Sequence, residues 1–168
     1  MNATMIAGVL ARDLRTLRRE VEAYPTERDL WKPVPGVSNT AGTLVLHLAG
    51  NLQHFVGAVL CGSGYVRDRD AEFSRRDVAR AELLQLVDRA LGVVEGTLPS
   101  VPDARLAQPY PQPIAGATVL TGDFLLHLAT HLAYHLGQLD YHRRVVTGET
   151  GKIGAVSPVE LATARKAS

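Results

Sequence analysis

The sequence predicts an all-α protein built as a four-helix bundle, and three observations carry that expectation. Four segments repeat apolar residues at three- and four-residue steps. The segments between them are broken by proline and glycine. No stretch alternates apolar with polar residues as a half-buried strand would. The chain has 168 residues, 46% of them apolar and 21% charged. That is ordinary globular composition and enough length for one hydrophobic core.

The first segment runs from about Ala3 to Ala23. Ile6, Val9, Leu10, Leu14, Leu17 and Val21 mark its apolar face, and Arg12, Arg15, Arg19 and Glu22 its wet one. Residues 25–38 hold three prolines and a glycine and read as loop. The second segment spans about Asn39 to Leu60, with Ser38, Asn39 and Thr40 as candidate N-caps and Gly62 and Gly64 behind its end. Its stripe is Leu44, Leu48, Leu52, Phe55 and Val59. The charged run YVRDRDAEF that follows is expected to lie over the surface. Ser74 and Asp77 form an S-x-x-D pattern that places the start of the third helix at Ser74; Leu84, Val87, Leu91, Val94 and Leu98 then keep a 3-4 rhythm. Five prolines between Pro99 and Pro113 argue against helix until about Ala117. The fourth helix is expected from Thr121 to Thr147, with Gly148 as its stop. Ser157, Pro158 and Glu160 predict a short terminal helix. Residues 1–150 are thus expected to form the bundle and 151–168 a tail. All the connections are long, so simple up-down-up-down order is not forced.

Composition excludes several function classes. A net charge of +1 and 5% aromatic residues leave neither a basic groove nor stacking platforms for nucleic acid. No run reaches the roughly 18 apolar residues of a membrane span, and the N-terminus lacks a signal-peptide layout. The single cysteine, Cys61, allows no intrachain disulfide and fits a reducing cytoplasm. A cytoplasmic protein that binds neither nucleic acid nor membrane is expected.

The chemistry sits in the histidines. Of six, four fall within HLATHLAYHLGQLDYH on the fourth helix: His127, His131, His135 and His142. Residues four apart on a helix lie about 40° from each other and one turn along, so a neighbouring pair shares one space. His135 and His142 are about 10 Å apart along the axis, too far to share an ion with Zn–N bonds of about 2.0–2.1 Å. With Leu128 at 0° on a helical wheel, Leu125, Leu132 and Leu139 lie between about 20° and 60°, His135 near −20°, His131 near −60° and His127 near −100°. His131 and His135 therefore border the core face, while His127 slides out of it. On the second helix His47, Asn51 and His54 form a matching polar strip at about −60°, −20° and −80° from Leu44. Facing strips create a polar pocket between two helices, the usual place for a metal site in a bundle. His47, His131 and His135 are the expected ligands of one divalent ion. Asn51, Gln138, His127 and His54 are candidates for the surrounding pocket, and His54 and His142 also read as hydrogen-bonded packing residues.

The combination of LVLHLAGNLQHF on one helix and HLATHLAYHLGQL on a later one resembles the DinB-like superfamily, small bacterial four-helix bundles that bind metal and include bacillithiol and mycothiol transferases. YVRDRDAEF is similar to an uncharacterised branch of it, and the resemblance covers about residues 5–147. It implies one histidine ligand from the second helix and two, four apart, from the last, which map onto His47, His131 and His135. It also implies a homodimer and a small-molecule substrate such as a low-molecular-weight thiol. The family's H-R-G-Q run departs here to His135, Leu136, Gly137 and Gln138, without the arginine.

Three neutral imidazoles leave coordination positions open, as in catalytic rather than structural zinc sites. Zinc is the first expectation, with nickel, iron and copper also suited to imidazole. Such an ion activates a coordinated thiol or water, which points to a metal-dependent transferase or hydrolase. A non-catalytic bundle in which the metal is structural or sensed is the alternative. The residue after His131 is Leu132, so the H-E-x-x-H of zinc peptidases is absent, as are phosphate-loop and dinucleotide fingerprints.

Overall fold

The computed structural model describes residues 2–151, 153 and 156–165. Four long helices form the bundle: α1 (Ala3–Glu22), α2 (Ala41–Leu52, continuing in π-helical form over Gln53–Leu60), α4 (Arg80–Thr97) and α6 (Thr121–Thr147). Two short helices lie in the connections, α3 (Arg69–Ser74) and α5 (Asp103–Leu106). The described residues contain no β-strand, only two isolated bridges. The fold is therefore all-α, as the periodicity predicts.

The order of the helices around the bundle could not be read from periodicity. α1 packs against α4 and α6, and α2 packs against the same two. α1 and α2 thus occupy opposite corners, and the long connections cross the ends of the bundle. Every residue of Ala41–Leu52 is buried. This explains a departure from expectation: Ala41–Leu60 is long and apolar enough to cross a membrane by composition, yet most of it is covered by the rest of the protein. Its apolar character serves a central helix packed on several sides.

The caps follow the chemistry of their residues. Asn2 accepts from the Met5 N–H at 2.9 Å and Thr40 from the Thr43 N–H at 3.4 Å, each satisfying a donor that the first helical turn leaves open. Gly148 ends α6 at φ 74°, the left-handed conformation that glycine adopts without a Cβ clash.

Several expected boundaries shift. Ser74 ends α3 rather than starting the third helix; Asp77 has φ 54°, and α4 begins at Arg80 after an Ala79 that makes no side-chain cap. The charged run over 65–73 is not merely surface: Asp68 accepts from the Ala71 N–H at 2.9 Å, starts α3, and turns Glu72 into the protein. The proline-rich connection admits a 3₁₀ turn at Leu98–Ser100 and α5, because Pro99 and Pro102 stand at or before the first turn, where the missing N–H costs nothing. Its end is pinned to the core by aromatic packing: Tyr110 and Phe124 rings are 4.6 Å apart, Phe55 and Phe124 rings 5.0 Å. In the tail Pro158–Glu160 forms a single 3₁₀ turn with no side-chain cap from Ser157. The rest of the expected 151–168 segment falls partly on residues 152, 154, 155 and 166–168, which lie outside the described residues.

Residues 25–38, read as loop, contain a further 3₁₀ turn, Arg28–Trp31, that drives Leu30 and Trp31 into the core. The Trp31 indole N–H donates to the Val78 carbonyl at 3.2 Å. Its ring lies flat on α2 at Gly42, where an added Cβ would stand 2.5 Å from Trp31 Cε2. A rigid indole tied by its own hydrogen bond cannot yield to that. Gly42→Ala is therefore expected to lower the free energy of unfolding by about 1–3 kcal/mol, the usual cost of overpacking, checked by urea denaturation against the unmodified chain.

Candidate metal centre

His47 lies in the middle of α2, and His131 and His135 lie one turn apart on α6, where those two helices pack together. Their Nε2 atoms converge. His47 Nε2 is 3.4 Å from His131 Nε2, and His131 Nε2 is 3.2 Å from His135 Nε2. The candidate ligand atoms of all three lie within 4.8 Å of one another. Two nitrogens bound tetrahedrally to one zinc ion at about 2.0–2.1 Å would stand about 3.3 Å apart, so the spacing matches a shared ion.

The far side of two of the rings supports the same conclusion. Glu72 Oε2 lies 3.0 Å from His47 Nδ1, and Gln138 Oε1 lies 2.7 Å from His135 Nδ1. Both oxygens accept, so both Nδ1 atoms carry the proton and both Nε2 atoms present lone pairs to the centre. The His131 Nε2–H tautomer could donate to one of these lone pairs, whereas a cation between the rings meets all three nitrogens. The hydrogen-bond partners thus fix the tautomer that a metal ligand needs.

Glu72 is itself held. Arg67 donates to its carboxylate through Nε at 2.7 Å and Nη2 at 2.8 Å, the paired geometry that guanidinium and carboxylate favour. Burial alone would raise the Glu72 pKa, but hydrogen bonds from Arg67 and His47 hold it below the usual carboxylate range. Gly50 makes room for this group: a Cβ there would stand 2.2 Å from Glu72 Oε1. Glu72 and Arg67 were hidden from sequence reasoning inside a run of mixed charge. The one signal was Asp68, an N-cap residue type able to start a turn in that run.

The other candidates divide. Asn51 is buried one turn after His47 on α2. His127 is exposed and stacks against Phe124 and His131 with ring centroids 5.8 and 5.9 Å away. His54 is half-buried in the π-helical stretch, its Nε2 3.4 Å from Gln112 Nε2, and does not join the three-histidine group. His142 is buried two turns beyond His135. Its Nε2–H donates to the Lys32 carbonyl at 2.8 Å, and its Nδ1 accepts the Tyr24 hydroxyl at 2.9 Å. It ties α6 to the loop after α1 and takes no part in the centre. Widened, π-helical turns often occur near functional sites; here the Tyr110 hydroxyl donates to the Phe55 carbonyl of that stretch at 2.6 Å.

Burial, with His135 and His47 beside it, pushes His131 down to about 4, and burial also lowers His135. The rings are neutral at pH 7 and ready to coordinate. The same shift has a consequence for the metal-free protein. A histidine in the unfolded chain takes its proton near pH 6.5, before folded His131 does, so acid favours the unfolded state. Protein stripped with chelator is expected to lose stability between pH 6.5 and about 4, and His131→Gln to lose less. Urea midpoints at pH 7 and pH 5 check this.

No curated protein and no solved structure gives a match to this chain. A family model for the DinB superfamily matches residues 10–139, a span that runs from α1 into α6 and encloses His47, His131 and His135. With most of its length matched and an all-helical fold around a histidine cluster able to hold a divalent ion, the chain belongs to the DinB superfamily.

Proposed function

We propose that this protein is a metal-dependent enzyme in which His47, His131 and His135 hold one divalent ion that activates a thiol or a water, in a thiol-transferase-like or hydrolase-like reaction. The observation that supports it most is the convergence of three Nε2 atoms, two of them with lone pairs fixed from behind. Among the described residues no fourth histidine, cysteine or carboxylate joins that group. A three-ligand set that leaves room for substrate is the catalytic pattern. Zinc is the first choice, and nickel and iron are the runners-up. A cytoplasmic setting belongs to the same proposal, since it would keep a thiol substrate reduced.

When bound, the ion would supply Lewis-acid activation, lowering the pKa of a coordinated thiol or water. The protein's own side chains do the rest. Glu72 and Gln138 orient His47 and His135, and Arg67 keeps Glu72 ionised. Asn51, one turn beyond His47, has an amide suited to a substrate carbonyl or hydroxyl, and it is no base. The position that carries the general base in zinc peptidases is filled by Leu132, which is buried.

A structural or sensing role for the same centre has one observation in its favour. The His47–Glu72–Arg67 chain is largely buried and would hold an ion rigidly whether or not anything turned over.

Untagged protein is expected to carry about one divalent ion per chain, with imidazole ligation suited to zinc, as measured by elemental analysis. Less than a tenth of an equivalent after zinc addition would remove the site. His135→Ala is expected to abolish tight binding. His142→Ala is expected to keep the ion while losing about 1–3 kcal/mol of stability from its broken buried hydrogen bonds. Glu72→Ala is expected to weaken metal affinity about 10–100-fold, read by competition with a chromogenic chelator. Metal-loaded protein inactive on a broad panel of thiol-transfer and hydrolysis substrates would favour the non-catalytic role.

A further inference from the structure

A groove of about 610 Å³ between α6 and the segment that precedes α2 borders the three-histidine centre at His135, a volume within the usual range for small-molecule sites. His135 is the one member of the centre that lines the groove, on the side where its Nδ1 meets Gln138, which also lines it. Tyr134, Gln138, Tyr141 and Val145 follow at four-, three- and four-residue steps, so they make one stripe along α6. Tyr134 is 66% exposed and Tyr141 72%, much bare apolar surface for side chains beside a polar centre. Val34 and Val37 of the preceding segment face them across the groove.

Charge is absent from this lining. Among the described residues no carboxylate, ammonium or guanidinium borders the groove. The charges of the same stretch of α6 turn elsewhere: Arg143 pairs with Glu20 of α1, and Arg144 pairs with Asp140 and bonds the Thr150 carbonyl. An anionic ligand would find no counter-charge here, and a cationic one no carboxylate. Two tyrosine rings two turns apart suit a flat ring laid along the groove.

We propose that this groove receives an uncharged, aromatic part of the substrate, placing the substrate's reacting atom at the three-histidine centre. The proposal rests on the metal reading of that centre. It adds that the protein selects neutral apolar compounds over small anionic ones.

The test uses the full chain loaded with cobalt(II), with metal content measured first. Benzyl mercaptan and 2-mercaptoethanesulfonate are titrated separately and followed by the thiolate-to-cobalt absorption band. Benzyl mercaptan is expected to bind at least about tenfold tighter. Tyr141→Ala is expected to erase that preference while leaving cobalt content and sulfonate affinity unchanged; exposed Tyr141 is removable without loss of core. Equal affinities, or a preference for the sulfonate, overturn the proposal. If the chain takes up no cobalt, the metal reading fails by itself and the groove is tested without it. Benzyl alcohol added to the metal-free protein is then expected to shift the NMR signals of Tyr134, Tyr141 and Val145, and unmoved signals overturn the groove. A dimer whose dissociation is required before benzyl alcohol binds also overturns it, since the occupant is then a second copy of the chain.

Discussion

The centre of this bundle is governed by a shortage of protons. Two helices present three imidazole nitrogens to one point, and two of those rings have given their single N–H to a partner behind them. His131 Nε2 stands 3.2 Å from one of them and 3.4 Å from the other. A neutral His131 with its proton on Nε2 can donate to one neighbour but not to both, and burial and the neighbouring rings drive it away from the charged form. A cation is the remaining way to satisfy all three at once. The packing of α2 on α6, the buried Glu72 and the turn that carries it all make sense as devices that hold this otherwise unfavourable arrangement in place.

Those devices act through neighbours that look unrelated in sequence. Glu72 can reach His47 only because Gly50 leaves the surface of α2 bare. It can remain ionised among buried atoms only because Arg67 meets both its oxygens. Arg67 in turn lies over the Phe55 ring, 5.5 Å from guanidinium carbon to ring centroid, so the π-helical end of α2 helps to seat the guanidinium that seats the carboxylate. Truncating any member would loosen His47 without touching the centre itself.

The four long helices were legible because an apolar stripe at helical spacing is read directly from residue order: Ile6, Leu10, Leu14, Leu17 and Val21 on α1 and Leu125, Leu128, Leu132 and Leu139 on α6 are all buried. The three-histidine group was legible for the same reason, since a four-residue step fixes the relative direction of His131 and His135. What escaped depends on tertiary contact. A turn of mixed charge gives no periodic signal, so Glu72 and Arg67 could not be distinguished from their solvated neighbours. Ser74 and Asp77 matched a helix start, but α3 already claims Ser74 as its end. The diagonal placement of α1 and α2 is set by which faces bury most area, which spacing along one helix cannot report.

The electrostatics of the centre bear on which nucleophile suits the proposed enzyme. Its three candidate ligands are imidazoles, which carry no charge when they coordinate, and the nearest carboxylate, Glu72, is balanced by Arg67. A divalent ion there would keep almost its whole charge, unlike one bound by a carboxylate. That favours an anionic ligand and lowers the pKa of whatever coordinates. Water must be brought down from 15.7 to near 7 to react at neutral pH, which zinc on three histidines can do. A thiol starts near 8.5 and needs only a small shift. Asn51 and Gln138 cannot take a proton, and buried Leu132 stands where zinc peptidases have their base. A centre strong in charge, whose one further imidazole is the exposed His127 stacked on His131, suits a nucleophile that loses its proton readily, and of the two candidates that favours the thiol.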